Sequence, residues 1–251
     1  MTPDDVTPVT GPLMTRRTLL IGGGVVGVIF AAILFLLLPA VCRVREAASR
    51  MKDSSNLKML AIVQHTYADY HEGYLIGPYS PDLTGVMNTQ MSLRVGLLPY
   101  MEGHDIFRRI DLGQPWDSVH NAPATSVVIR NLQSPDTPDK SKPDTPYRVF
   151  YGGGALFEAD GKPVKLFDTP DGTSNTILFV HATETVPWAK PQEFAYTPTT
   201  ALPPLGSPGV GRGGFSAAMA DGSVRFLRHT IPEADLRSLI EKADGRGADI
   251  E

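Results

Sequence analysis

GGFSAAMADGSVRFLRHTI, residues 213–231, decides the fold, because it predicts a β-hairpin. The Asp221-Gly222 pair is typical of a tight turn, and apolar residues recur on both sides of it. We expect two neighbouring strands, Phe215–Ala220 and Ser223–His229. The protein should therefore contain an antiparallel sheet.

The turn also predicts which strand residues pair. A two-residue turn places Met219 opposite Val224. Two positions further out it places Ala217 opposite Phe226, and all four side chains then lie on one side of the ribbon. That arrangement is expected of a sheet that packs on one face.

Two chemical alternatives for this Asp-Gly pair are weaker. A phosphate-binding loop needs a glycine run that opens a helix and ends in Lys-Ser or Lys-Thr, whereas strand alternation follows these glycines. A calcium loop needs several oxygen ligands at close spacing, and only Asp221 and Ser223 qualify. We interpret Asp221 and Gly222 as a structural turn.

Length and composition narrow the class of protein. The 251 residues are enough for one well-packed domain, and 22 prolines with 24 glycines predict a loop-rich, β-containing fold. The net charge of -4 provides no global basic field, so we expect no nucleic-acid partner. Cys42 is the single cysteine, which excludes an intramolecular disulfide and a cysteine-cluster metal site.

An uncharged apolar run, Leu19–Leu38, predicts a single-pass transmembrane helix in contact with membrane lipid. At about 1.5 Å per residue its twenty residues match a hydrocarbon core of about 30 Å. A cleaved signal is the alternative, although the run is long for one and Leu38-Pro39-Ala40 is a poor cleavage site. Residues 1–18 read as a disordered leader.

The helix should continue beyond the membrane. Between Ala40 and Tyr70 there is no proline or glycine, and apolar residues including Val44, Met51 and Ile62 fall near helical spacing. We expect one long helix that ends at Gly73, half of it in the membrane and half laid against a soluble domain.

The remaining chain, to residue 242, reads as short strands between loops, followed by a flexible tail at 243–251. The run from Ser134 to Pro146 predicts a mobile loop, because its prolines cannot donate ladder hydrogen bonds. Thr230 and Glu233 have the spacing of a capping box for a C-terminal helix. Further predicted elements are strands at Ser92–Leu98, Ser126–Leu132, Arg148–Tyr151 and Thr176–Ala182, a helical turn at Asp105–Ile110, and an apolar helix face of Leu236, Leu239 and Ile240.

A second Asp-Gly pair occurs in DGTSNT, residues 171–176. Side chains such as Asn175 commonly satisfy the backbone of a turn, so Asp171, Gly172 and Asn175 form a structural motif in the simplest interpretation. A metal site is the alternative, and it would need Asp160 or Asp168 as a further ligand.

Trp116 and Trp188 each follow a proline in a polar loop. Buried, they would hold these loops to the domain; exposed, they would be candidate partner-binding residues for a glycan or a protein.

No catalytic or metal-binding constellation stands out. His65 and His71 are six positions apart on the expected helix, whereas zinc pairs on helices are separated by three or four. No nucleophile elbow of the form G-x-S-x-G occurs. We therefore expect a non-enzymatic protein with no cofactor and no metal; a metal-dependent hydrolase is the weakest of the alternatives.

Several stretches resemble, in order, a large planctomycete family of unknown function. That family has a prepilin-like (pseudopilin, type II secretion-like or type IV pilin-like) N-terminal helix and a C-terminal pattern of His, nine residues, then Asp-Gly. The stretches that carry the resemblance are LLPAV (37–41), REAASR (45–50), NLKML (56–60), LLPYME (97–102), PWDSVHN (115–121), DGTSNTILFV (171–180), VPWAKP (186–191) and ADGSVRFL (220–227).

The resemblance implies an α+β, pilin-like fold: a long N-terminal helix, partly transmembrane, packed on an antiparallel sheet with long loop insertions. It also implies that the C-terminal domain lies outside the cytoplasmic membrane, although the arginines after Leu38 would by themselves favour a cytoplasmic side. The implied function is a membrane-anchored, pseudopilin-like envelope protein in protein assembly or surface structure, with other pilin-like or envelope proteins as partners. The alternative is an anchored extracytoplasmic binding module for a glycan, a peptide or a small solute.

The chain departs from the family pattern at several positions. The leader glycine before the prepilin cleavage point falls on Arg17, and the conserved acidic residue falls on Gly22. Two cysteines that relatives often carry fall on Asp53 and Ser134, so the resemblance implies a lost disulfide. The C-terminal histidine falls on Gly211.

Overall fold

The computed structural model describes residues 16–81, 87–207 and 213–245, without the side chains of residues 16–34, 36–40, 42 and 87. The chain divides into two units, Met1–Ala47 and Ala48–Glu251. The first is helical wherever it is described. Most of the predicted leader and tail, and Gly211, fall outside the described residues.

The second unit has the α+β class and the antiparallel sheet that the sequence predicted, together with an N-terminal helix. The strands form one four-stranded sheet and three small two-stranded sheets: β1 with β6, β2 with β3, and β5 with β8, of which the last pair is parallel. In chain order the elements are α1 (Arg16–Tyr70), β1 (Tyr74–Leu75), β2 (Tyr79–Pro81), β3 (Met87–Ser92), α2 (Leu93–Leu97), α3 (His104–Phe107), α4 (Ala122–Thr125), β4 (Asp144–Arg148), β5 (Phe150–Tyr151), β6 (Val164–Lys165), β7 (Ile177–Pro187), β8 (Phe194–Ala195), β9 (Gly214–Met219), β10 (Val224–Arg228) and α5 (Glu233–Ile240).

Helix α1 buries only part of the face that its apolar residues predict: Val63 is buried, and Met59 and Tyr67 pack against the core. Leu57, Leu60 and Ala61 are fully buried, whereas Met51 and Ile62 are 69% and 53% exposed. The buried face also carries polar residues, Asp53, Asn56 and Gln64, and these interrupt its hydrophobic pattern in the sequence. The helix ends at Tyr70, close to the predicted stop at Gly73, whose φ of +83° suits glycine.

That helix α1 crosses a membrane remains a prediction. Among the described residues, no helix is both long enough and apolar enough to cross a membrane. The predicted span Leu19–Leu38 belongs to the backbone of α1, but apart from Phe35 its side chains lie outside the described residues.

The four-stranded sheet has the order β10-β9-β7-β4, with every neighbouring pair antiparallel. Both of its faces are covered, not one as predicted. Leu178 and Ala218 belong to the same buried cluster as Leu57 and Leu60 of α1. On the other face, residues of β9 and β10 pack against α5; this cluster includes Phe215, Ala217, Leu227, Leu236, Leu239 and Ile240.

The Asp221-Gly222 hairpin forms where predicted, but its register differs by one residue. Val224 pairs with Ala218, not with Met219. The reason is a three-residue loop: Gly222 takes a φ of +81°, and the Met219 amide donates to the Ser223 carbonyl at 2.8 Å. A shift of one residue places Val224 and Phe226 on the face opposite to that of Ala217 and Met219. Phe226, predicted to point inward, is consequently 39% exposed.

Two predicted strands are wrong and one predicted loop contains a strand. Ser92 ends β3 and caps α2, because its hydroxyl oxygen accepts a hydrogen bond from the Arg94 amide at 3.3 Å. Ser126–Leu132 forms no strand, and its last three residues are a 3-10 turn. The predicted loop up to Pro146 instead enters β4, an edge strand with an irregular register at Pro146, where proline is tolerated.

The C-terminal helix is confirmed, but its predicted cap is wrong. Helix α5 begins after Pro232, which provides no side-chain cap, and Thr230 lies outside the first turn. Its apolar face of Leu236, Leu239 and Ile240 is buried as predicted.

Candidate functional site

The Asp221-Gly222 turn is bound to helix α1. Lys58 Nζ donates to the Gly222 carbonyl at 2.7 Å, and a ring nitrogen of His65 lies 2.8 Å from the Ala220 carbonyl. Lys58 and His65 are about two helical turns apart and so share a face of α1. The Asp221 carboxylate accepts from the Ser223 amide at 2.7 Å. All these contacts fix the hairpin, which supports the structural interpretation of the turn.

The second Asp-Gly motif lies beside the first. The Asp221 amide donates to the Thr173 carbonyl at 2.9 Å, and the Ala220 amide donates to the Thr176 carbonyl at 2.8 Å. Sequence reasoning treated the two motifs as independent, because residues 171–176 and 220–222 are far apart in the chain. The backbone joins them into one structural corner.

The Asp171 side chain binds the backbone that follows helix α5. Its carboxylate accepts hydrogen bonds from the amides of Asp244 and Gly245, at 2.6 and 3.0 Å. Asn175 Nδ2 donates to the Asp171 carbonyl at 3.3 Å, and Gly172 has a φ of +89°. Within the described ranges, no group of three or more His, Cys, Asp or Glu side chains could hold a metal ion.

The two tryptophans differ in exposure. Trp188 is 1% exposed, and its indole nitrogen donates to the Val127 carbonyl at 2.9 Å. A side chain so deeply buried cannot contact a partner, so Trp188 holds loops together, the first of the two alternatives above. Trp116 is half-buried at the edge of the core, and its carbonyl accepts from Thr125 Oγ1 at 3.0 Å.

The structure contains a buried polar cluster beneath α1 that the sequence does not predict. Tyr147 Oη donates to Asp53 Oδ1 at 2.8 Å, and His181 Nδ1 lies 3.4 Å from Asp53 Oδ2. Asn56 Nδ2 donates to Tyr147 Oη at 3.0 Å. Burial disfavours the carboxylate of Asp53, but the hydrogen bond and charge of His181, with hydrogen bonds from Ser134 and Tyr147, outweigh it and lower the Asp53 pKa.

The cavity beside Asp53 and His181 is too small for a substrate. Its volume is about 10 Å³, which is about the space of one water molecule. Burial and the Asp53 charge both raise the pKa of Tyr147, which keeps its hydroxyl a hydrogen-bond donor. The cluster therefore stabilises the contact between α1 and the sheet.

A second buried polar group joins a loop to the sheet. Arg94, fully buried, pairs with Glu193 at 2.7 Å and donates to the carbonyls of Trp188 and Tyr147 at 2.9 and 2.7 Å. Glu193 Oε2 accepts from the Val149 amide at 3.0 Å. Burial raises the pKa of Glu193 despite the opposing charge of Arg94. Every partner is internal, so this pair too is structural.

Two open cavities on the surface share one boundary. The first, the apolar cavity, has a volume of about 560 Å³, and the second, the basic cavity, about 650 Å³. Val128 and Arg130 line both. The apolar cavity is further lined by Met59, Val63, Leu98, Tyr100, Met101, Glu102, Gly103, Ile106, Ile129 and Asn131, and the basic cavity by Lys52, Gln133, Ser134, Pro135 and Lys140.

The basic cavity concentrates positive charge on a protein whose net charge is negative. Lys52, Arg130 and Lys140 line it, and none of its described lining residues is acidic. The pKa of Lys140 is lowered, because the effect of partial burial outweighs the opposing charges of Asp136 and Asp53. Asp53 is bonded within its buried cluster and Asp136 accepts from Ser207 at 2.6 Å, so neither lines the cavity.

The chain is thus an α+β protein whose buried polar clusters have their partners inside the domain, and whose described surface includes these two neighbouring cavities, called below the joined cavities. Residues 43–206, more than half of the chain, match the family model described as "Protein of unknown function (DUF1559)". The chain belongs to this family. The match ends before the Asp221-Gly222 hairpin and begins after Cys42. No curated protein and no solved structure matches the chain.

Proposed function

We propose that this protein is a membrane-anchored, non-enzymatic envelope protein with a pilin-like domain that serves protein assembly or surface structure. The observation that carries the proposal is helix α1, which includes the uncharged run Leu19–Leu38 in its backbone and also supplies Leu57 and Leu60 to the core. Membrane lipid and other pilin-like or envelope proteins are the proposed partners of the protein.

The proposed location is the cytoplasmic membrane, with one span and the C-terminal domain outside the cytoplasm. The family resemblance supports this orientation, whereas the arginine distribution favours the opposite one. The proposal of a non-enzymatic role draws support from Asp53 and His181: this buried titratable pair lies beside a cavity of about 10 Å³, too small for a substrate.

Extraction of membranes with alkaline carbonate tests the anchor. The full-length protein should stay in the membrane pellet, whereas an Ile29→Arg, Ile33→Arg variant should be released, because each central arginine costs about 2.5 to 3.5 kcal/mol on insertion. A matched control carries Val119→Arg and Phe167→Arg, which are 96% and 84% exposed in the domain. Release of the unaltered full-length protein into the soluble fraction would contradict the membrane anchor.

N-terminal sequencing of the mature protein tests processing. A start at or near Met1 supports an uncleaved anchor. Thr18 would show cleavage by a prepilin peptidase despite Arg17, and a start near Val41 would contradict anchoring altogether.

A second candidate function is a binding module on the same anchor. The two joined cavities now favour it, since they are open and large enough for a small ligand or a peptide segment. The tryptophans support it less, because Trp188 is buried.

A further inference from the structure

We propose that the joined cavities bind an acidic peptide segment that carries a large apolar side chain next to its carboxylates. This inference names the ligand of the second candidate function and rests on it, but it does not need the anchor. Its basis is the adjacency of two surfaces of different chemistry, with Val128 and Arg130 at the boundary.

The charge of the basic cavity selects an anionic ligand. Among the described residues, neither Lys52 nor Arg130 forms an ion pair or a side-chain hydrogen bond. Lys140 Nζ donates to the Ser134 carbonyl and leaves further donor positions for a ligand. The three cations outnumber the two carboxylates whose charges reach Lys140, Asp136 and Asp53, so the cavity keeps a positive potential that attracts carboxylates and weakens with added salt.

The apolar cavity adds a requirement that a simple anion does not meet. Met101, Ile106 and Ile129 are half-buried around it, so apolar surface stays exposed to water until a ligand covers it. Glu102 is the one carboxylate among the described lining residues, and it belongs to this cavity and not to the basic one. An apolar side chain would fill this cavity while adjacent carboxylates reach the lysines.

A peptide fits this pair of cavities better than a glycan does. Sugar rings stack on exposed aromatic faces, and Tyr100 is the single aromatic side chain among the described residues that line the cavities. An extended peptide advances about 3.3 Å per residue and points every second side chain to the same side, so two neighbouring cavities can receive side chains two positions apart.

Fluorescence anisotropy with the full chain in detergent micelles tests the inference. Three labelled heptapeptides serve as probes: one with aspartates around a central leucine, one in which asparagines replace the aspartates, and one in which glycine replaces the leucine. The aspartate-leucine peptide should bind most tightly. Its affinity should fall when NaCl rises from about 0.05 to about 0.5 M.

Variants locate the binding. Lys52→Gln, Arg130→Gln and Lys140→Gln together should weaken the aspartate-leucine peptide at least about tenfold, through loss of three charge interactions. The matched control removes the same charge at exposed positions outside both cavities, with Arg108→Gln, Arg109→Gln and Lys162→Gln, and should bind within about twofold of the unaltered protein.

A further variant tests the apolar half. Met101→Ala should weaken the leucine-containing acidic peptide roughly three- to fivefold and leave the glycine-containing one unchanged. The fluorescence of buried Trp188 verifies folding in every variant.

Each remaining outcome overturns the inference in a distinguishable way. If the asparagine peptide binds as tightly as the aspartate peptide, the binding function stands but the ligand is not acidic. If the cavity variant and its control bind equally, the site lies elsewhere. If no peptide binds, the inference and its support for a peptide-binding module both fail, while carbonate extraction still decides the anchor separately.

Discussion

Ser134, in the loop that precedes β4, lies against Asp53 of α1, and its side chain helps to lower the pKa of the Asp53 carboxylate. These are the two positions at which relatives were expected to carry cysteines. A polar contact therefore occupies the place where the family resemblance implies a disulfide. The spacing of the two residues in the sequence does not predict that their side chains are neighbours in the fold.

This contact predicts that Asp53→Cys with Ser134→Cys, in a Cys42→Ser background, forms a disulfide on oxidation. Such a bond should raise the free energy of unfolding by about 2 to 4 kcal/mol, less the loss of the Asp53 hydrogen bonds. Electrophoretic mobility with and without reductant detects it. The matched pair Asp53→Cys with Ser126→Cys should stay reduced, because Ser126 is exposed and lies outside the contact between Asp53 and Ser134. Equal oxidation of both pairs would argue against the contact.

The lowered pKa of Asp53 predicts a defined pH dependence. Its unfolded pKa is about 3.9, so the ionised carboxylate contributes stability above that value and loses it as the pH falls through the lower folded pKa. Asp53→Asn should cost about 1 to 3 kcal/mol near neutral pH, and the difference from the unaltered protein should shrink below about pH 4. Urea unfolding followed by tryptophan fluorescence measures both.

Asn56→Ala is the control for this pH dependence. It removes a buried hydrogen bond to Tyr147 but no titrating group, so its cost should not change with pH over the same range. A difference between Asp53→Asn and the unaltered protein that stays constant down to about pH 2 would contradict the role of the Asp53 carboxylate.

The sequence predicts where elements occur better than how they pack. It locates β7, β9, β10 and α5, because strand alternation and helical spacing survive in the apolar residues. It misses the register of the hairpin, since Asp221-Gly222 is compatible with loops of two or three residues and the difference is set by Gly222 in its left-handed conformation.

The buried face of α1 illustrates a different limit. Asp53, Asn56 and Gln64 look like surface residues in the sequence, yet each is at most 3% exposed. Their partners lie far along the chain, as Tyr147 does for Asp53, so no local pattern reveals that they are satisfied. The joined cavities are hidden for the same reason, because α1 and the segment 128–131 meet only in the fold.

The Arg94–Glu193 pair should be more costly to break than to replace. Arg94→Met alone leaves a buried carboxylate without its cation and should cost about 3 to 5 kcal/mol of unfolding free energy. Arg94→Met with Glu193→Met removes both charges and should recover part of that loss, although the carbonyls of Trp188 and Tyr147 still lose a donor. Chemical denaturation of the single and double variants measures the coupling energy between the two side chains. A double variant less stable than the Arg94→Met variant would show that loss of the ion pair is not the main cause of the destabilisation.

Two glycines of the hairpin should respond to alanine for different reasons. At Gly222 a new Cβ would lie 3.5 Å from the His65 ring, an ordinary contact, so the cost is the left-handed backbone, about 1 to 2 kcal/mol. At Gly214 a Cβ would lie 2.1 Å from the Leu227 carbonyl oxygen, so β9 and β10 must separate. Gly214→Ala should therefore be the more destabilising, by more than about 2 kcal/mol in thermal or urea unfolding. Gly213→Ala is the control for backbone strain alone, because its φ of +57° is left-handed and no atom lies within 4 Å of the new Cβ; it should match Gly222→Ala. Equal losses at Gly214 and Gly222 would contradict the close approach of the two strands.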